Sequence, residues 1–161
     1  MTALETVHAI ELRGITKRFG AKVVANDHID LALDRGEILS LLGENGSGKT
    51  TLMNMLAGIY LPDEGEILMD GKPVAIRSPK DAFDHGIGMI HQHYKLVDVF
   101  TAAENIVLGL HDGKKLDRKE IAQKVRAISD KYGFGIDPDK KIYDMSVSEK
   151  QTVEIVKVLY R

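Results

Sequence analysis

The chain contains no cysteine, which excludes disulfides and thiolate metal sites and suits the cytosol. No apolar run approaches the roughly 20 residues of a membrane span. The first residues, MTALETVHAIEL, lack the basic start and apolar stretch of a signal peptide. A dominant charge is missing too. Lys and Arg number 22 against 24 Asp and Glu, for a net charge of −2, so no strong field draws the chain to nucleic acid or anionic lipid. The charged run Lys114 to Lys119 (KKLDRK) reads as a solvated helix entry. There is no internal repeat and no low-complexity tract. What remains is 161 residues, 43% hydrophobic and 29% charged, the ordinary make-up of one globular domain with a sizeable core.

Against that background one stretch stands out. Gly43 to Thr50 reads GENGSGKT and fits G-x-x-x-x-G-K-[ST], the phosphate-cradling loop. The apolar run Glu37-Ile38-Leu39-Ser40-Leu41-Leu42 precedes it and predicts a buried parallel strand. Thr51 to Ala57 follows as a helix former closed by Gly58. The residue types match the chemistry. Gly43, Gly46 and Gly48 carry no Cβ, so backbone amides can curl around a phosphate group. A helix starting near Gly48 adds its positive end. Lys49 would reach the β- and γ-phosphates, and Thr50 would offer its hydroxyl to Mg²⁺.

In chain order, His8 to Ile15 predicts a strand, Thr16 to Gly20 a turn, and Lys22 to Leu33 one or two further strands. Antiparallel strands ahead of a phosphate loop suggest an added β-layer. Glu66 to Asp70 predicts a strand ending in the Asp70-Gly71 hairpin signal. Ser78-Pro79 opens a short helix ended by Gly86, and Ile87 to Ile90 predicts a short buried strand. Residues from about 94 to 144 read as a helical insert. Thr101 with Glu104, and Asp117 with Glu120, are capping boxes, and Ile121, Val125, Ile128 and Tyr132 line one helix face. Gly133 to Lys141 is a loop. Ser146 with Glu149 caps a last helix, Gln151 to Tyr160, whose β-branched residues leave it dependent on tertiary packing and make a strand the competing reading. His85, His91 and His93 cluster without the fourth ligand a metal site requires.

Three stretches together resemble the ATP-binding subunits of ABC transporters, over nearly the whole chain. The phosphate loop is one. Gly86 to Gly109 (GIGMIHQHYKLVDVFTAAENIVLG) resembles the glutamine-bearing loop and helical insert of the nucleoside and simple-sugar importer subgroup. Met145 to Gln151 (MSVSEKQ) resembles the signature usually written LSGGQ. The resemblance implies an α/β P-loop fold of ABC type: a parallel core sheet, an added antiparallel β-layer and a helical insert. Residues 1–93 would carry the β-layer and phosphate-loop core, and residues 94–160 the insert and signature helix.

The resemblance also implies roles. Phe19 would stack on adenine, with Val24 as an apolar wall. Gly43, Glu44, Asn45, Gly46, Ser47, Gly48, Lys49, Thr50 and Thr51 would hold the phosphates of ATP. Lys49 and Gln92 would serve catalysis, and Thr50 and Gln92 would meet Mg²⁺. Ser146 and Ser148 would face the γ-phosphate held by a second nucleotide-binding domain. Further partners implied are transmembrane permease subunits and, indirectly, a solute-binding protein, which places the chain on the cytoplasmic face of the cell membrane. Ser148 stands where the signature has its second glycine, and its Cβ narrows the approach of backbone to phosphate. The family's metal-positioning aspartate, catalytic glutamate and switch histidine follow the signature helix and fall outside these 161 residues. The chain therefore reads as the front part of an ATPase domain, with its C-terminal core strands absent. The parent protein would be an ATPase, while these residues alone would bind nucleotide weakly and turn it over slowly. Two other readings compete: a non-hydrolysing nucleotide-binding fragment, and a P-loop kinase or GTPase, which would need no signature helix.

Overall fold

The structure, a computed structural model, describes residues 7–91, 95–110 and 117–161. It divides into two compact units, Met1–Gly88 and Met89–Arg161.

The first unit is built on an antiparallel sheet of four strands in the order β2-β1-β3-β4. These are β1 (Ile10–Phe19), β2 (Val23–Leu33), β3 (Glu64–Met69) and β4 (Lys72–Val74). The added β-layer expected from the sequence is thus present. The turn expected at Thr16 to Gly20 is not. β1 runs on through Phe19, and the chain reverses at Gly20 to Lys22 instead. The reason lies in how β1 and β2 accommodate irregularity. Gly14 and His28 take positive φ (59° and 47°), so the ladder bulges rather than stops. The amide of Gly14 donates to Asp30 Oδ1 at 2.6 Å, and the amide of His28 donates to the hydroxyl of the fully buried Thr16 at 3.0 Å. Side chains therefore satisfy the groups the bulges displace, and the ladder resumes beyond them. The Asp70-Gly71 hairpin forms as its sequence predicts, with φ of 50° and 73°.

Helix α1 (Lys49–Leu56) buries Leu52 and Met55 in a core shared with Leu12, Ile15, Ile67, Ile76 and Ala82. Ala82 comes from α2 (Pro79–Asp84), whose N-cap Ser78 accepts from the Asp81 amide at 3.1 Å, with Pro79 at the first position.

The parallel strand predicted over Glu37 to Leu42 does not form a ladder. Ile38 and Leu42 are 95% and 90% exposed, and no strand pairs with them among the described residues. Ile87 to Ile90, also predicted as a buried strand, likewise makes no ladder. An apolar run of this kind becomes a strand only when neighbours accept its amides and cover both faces. Here its composition is fulfilled and its pairing is not.

The second unit is helical: α3 (Ala102–Val107), α4 (Arg118–Tyr132) and α5 (Val147–Tyr160). The helix predicted at the end of the sequence is confirmed, and the β-branched Val153 and Val156 are fully buried in the core with Ile106, Val125 and Ile142. Packing against that core offsets their modest helix propensity. Thr101 and Glu104 form a reciprocal capping box. Asp117 caps α4 through the Lys119 amide, without the return bond from Glu120. Ile121 and Val125 are buried and Ile128 packs on the same core, while Tyr132 turns out to stack on Phe134 with ring centroids 5.7 Å apart. Among the described residues no helix is long and apolar enough to cross a membrane.

Candidate nucleotide-binding site

The loop before α1 has the local geometry its sequence calls for. Gly48 lies at φ 85°, ψ 0° as the N-cap of α1, in the left-handed region. A Cβ there would come within 2.1 Å of the Ala25 carbonyl oxygen, so strand β2 rests directly against the helix start. Gly43 contributes in a different way. A Cβ at that position would come within 2.7 Å of Ser47 Oγ and 3.6 Å of Lys49 Nζ, filling the hollow of the loop. Gly48 thus lets the helix start close on β2, and Gly43 leaves room for an anion to meet the backbone.

The start of α1 has no side-chain cap and no acidic residue in its first turn. Among the described residues, the amides of Lys49, Thr50 and Thr51 have no hydrogen-bond partner. A helix N-terminus of this kind presents its free donors and the positive end of its dipole together. The Thr50 side chain is exposed, and among the described residues its hydroxyl is unpaired. Lys49 turns back over the loop. Its Nζ donates to the carbonyls of Gly43 (2.7 Å) and Glu44 (2.6 Å) and to Ser47 Oγ (3.0 Å). The ammonium is held over the hollow that Gly43 keeps open. Glu44, Asn45 and Gly46 form the exposed rim, with Gly46 at φ 88°.

Phe19 and Val24 lie at the hairpin end of β1 and β2, where Phe19 pairs with Val23 and Arg18 with Val24. Both are partly open to solvent, at 38% and 54%. The Phe19 ring makes an edge contact with Tyr60 (5.2 Å between centroids, 76° between planes), and Lys17 Nζ sits 5.7 Å from the Phe19 centroid. Lys17 is tethered to Asp63 at 2.9 Å. The Asp63 carboxyl is held below its ordinary pKa by the Arg18 amide and then by Lys17. Val24 immediately precedes Ala25, whose carbonyl meets Gly48, so the aromatic end and the phosphate loop share one strand.

Two residues at this site were not singled out from the sequence. Tyr60 follows α1 and supports Phe19. Asn26, 5% exposed, donates from Nδ2 to the Gly48 carbonyl at 3.3 Å. A polar residue in a loosely alternating strand carries no distinguishing signal, and the contact arises only on folding.

In the second unit, Ser146 is the N-cap of α5. Its hydroxyl accepts from the Glu149 amide (3.3 Å), and Glu149 accepts from the Ser146 amide (2.8 Å). Lys140 lies 2.6 Å from Glu149. That ammonium first, and the Ser146 amide second, lower the Glu149 pKa to about 2. Ser148 is exposed, and its carbonyl accepts from the Thr152 hydroxyl at 2.9 Å. Gln92, with His93 and Tyr94, lies outside the described residues.

Comparison with known proteins agrees with this geometry. Residues 26–161 match the family described as ABC transporter. The chain is 53% identical over 156 residues to the guanosine import ATP-binding protein NupO of Bacillus subtilis, covering 96% of this chain and 30% of that protein. It is 51% identical to the nucleoside import ATP-binding protein NupA of Lactococcus lactis, covering 99% and 31%. Among solved structures it is similar to cbiO1 of Clostridium perfringens, part of the ABC transporter complex cbiONQ. There the TM-score is 0.77 at 27% identity, with 96% of this chain and 62% of that one covered. It also resembles MJ1267, an ATP-binding cassette of an ABC transporter, with a TM-score of 0.82 at 26% identity, covering 96% and 66%. The chain thus spans about 30% of the length of its curated relatives. The matches extend through the helical unit that begins at Met89, which the kinase or GTPase alternative does not account for. This chain belongs to the ABC transporter family.

Proposed function

We propose that the protein containing this chain is the ATP-binding and ATP-hydrolysing subunit of an ABC importer for nucleosides. The observation that carries the reading is the uncapped start of α1, with three free amides and the Lys49 ammonium drawn to one hollow. Three amides and a cation aimed at one point suit a polyphosphate and little else.

Residues 1–93 supply the base and phosphate contacts, and residues 94–160 supply the helical insert and the signature helix. Adenine lies on Phe19 against Val24. The phosphates lie on the amides of Gly43 to Thr51, with Lys49 neutralising charge. Thr50 and Gln92 would hold Mg²⁺, for which the Thr50 hydroxyl, unpaired among the described residues, is a fitting hard-oxygen ligand. When bound, the metal neutralises charge on the transferring phosphoryl group. Lys49 must exchange its carbonyl partners for phosphate oxygens, and the loop amides then stabilise charge developing on the γ-phosphoryl group. The Ser146 and Ser148 region meets the nucleotide of a second nucleotide-binding domain. Movement of the pair is passed to transmembrane permease subunits on the cytoplasmic side of the membrane, which receive solute from a solute-binding protein. Nucleoside rather than sugar is favoured because the two nucleoside importers share 53% and 51% identity, against 47% for a ribose importer of Rubrobacter xylanophilus.

The test is uptake of labelled guanosine and labelled ribose by cells carrying the full protein with Lys49→Ala. Loss of guanosine uptake with ribose uptake retained is the expected result. Unchanged guanosine uptake, or selective loss of ribose uptake, would overturn the assignment.

A further inference from the structure

Asn26 is a buried polar residue that lies outside the phosphate motif. Its side chain is buried on β2, its Nδ2 donates to the Gly48 carbonyl at 3.3 Å, and its Oδ1 is buried with no hydrogen-bond partner among the described residues. A bare buried acceptor costs stability, and a leucine of similar shape would avoid that cost. The residue is therefore poorly explained as packing.

Its location explains it better. The Gly48 carbonyl also accepts the Leu52 amide at 2.9 Å, the first hydrogen bond of α1. Ala25, the preceding residue, blocks any Cβ at Gly48 with its carbonyl oxygen. Residues 25 and 26 thus form an abutment on which the C-terminal side of the phosphate loop rests. The N-terminal side has no comparable support, because Glu37 to Leu42 forms no ladder among the described residues. Asn26 also sits opposite Lys17 in the ladder, two residues from Phe19 along β1, and two residues after Val24 along β2. One side chain joins the strand pair that carries the aromatic end to the peptide that carries the loop amides.

We infer that Asn26 is a positioning residue of the phosphate loop: its Nδ2 fixes the Gly48 peptide so that the first-turn amides of α1 point into the anion cradle. This rests on the proposed nucleotide site. It goes beyond that reading in assigning loop geometry to a residue of the β-layer outside the phosphate motif. A donor that orients a peptide limits the angular spread of the neighbouring N–H groups, and misaligned donors bind phosphate poorly.

The experiment compares the full 161-residue chain with its Asn26→Leu and Asn26→Gln variants. Hydrogen exchange of the Leu52 amide, which donates to the Gly48 carbonyl, is measured without nucleotide, alongside the thermal midpoint and the Kd for MgATP. Asn26→Leu should speed exchange at Leu52 by about tenfold while the thermal midpoint holds or rises, because the bare oxygen is gone. It should weaken MgATP by about tenfold, with Asn26→Gln, which keeps the donor, recovering part of the loss. Unchanged exchange at Leu52 in Asn26→Leu would overturn the inference. So would a fall in midpoint with exchange faster throughout the first unit, which marks a merely structural residue. The exchange arm needs no nucleotide, so a wild-type chain that fails to bind MgATP would count against the proposed function and leave this inference standing on its own result.

Discussion

Two helix starts in this molecule are built in opposite ways. α5 closes on itself: Ser146 and Glu149 exchange hydrogen bonds, and Lys140 neutralises the carboxylate. α1 stays open: its N-cap is a left-handed glycine without a side-chain bond, and its first-turn amides have no partner among the described residues. The contrast shows how one backbone terminus serves two ends. A capped start is stable by itself and its donors are occupied. A glycine start without a side-chain cap gives up only a few tenths of a kcal/mol of that stabilisation and keeps its donors for a ligand. The neighbouring Lys49 underlines the difference, since it occupies carbonyl oxygens of the loop and leaves the amides free.

The contrast can be broken most severely at Gly48. Gly48→Ala places a Cβ 2.1 Å from the Ala25 carbonyl and adds the left-handed penalty of about 1–2 kcal/mol. The expected outcome is a thermal midpoint lowered by at least about 5 °C in calorimetry, with the α1 amides losing exchange protection.

A milder change separates the two starts. Ser146→Ala removes the α5 cap and should cost about 1 kcal/mol of stability in urea unfolding. MgATP affinity of the isolated chain should be unchanged, because the phosphate loop is built from other residues. Ser146→Asp should restore most of the stability, since a carboxylate caps as well as a hydroxyl and suits the helix dipole.

The smallest effect is in acid. Glu149 has a folded pKa of about 2 against an ordinary 4.5. Its contribution is therefore present above about 4.5 and lost as pH falls towards 2. The α5 amides should lose exchange protection only within that window. Lys140→Met removes the main cause of the depression and should shrink the loss and complete it at a higher pH, with the onset still near 4.5. Nothing comparable is expected for the start of α1, which has no carboxylate in its first turn.

How much of this could be read in advance depended on range. The loop Gly43 to Thr50 was legible because its residue types answer local demands: glycine where the backbone turns left-handed or packs closely, lysine where a cation must fold back. The capping boxes at Thr101 and Ser146 were legible for the same reason, as the partners lie three residues apart. Glu37 to Leu42 was misread in its pairing, since a strand is a property of its neighbours and these residues alone supply none. The turn placed at Thr16 was misread because its resolution is long-range: the Thr16 hydroxyl satisfies His28, twelve residues away, and β1 continues. Asn26 was illegible because its bond to Gly48 spans 22 positions.

The central claim is that the open start of α1 and Lys49 together grip a nucleotide's phosphates. Calorimetric titration of MgATP into the full chain and into Lys49→Ala tests it most directly. The account predicts measurable binding by the first and a loss of about 100-fold or more in the second, the scale of one well-placed charge-assisted contact. Equal affinity in the two proteins would contradict it.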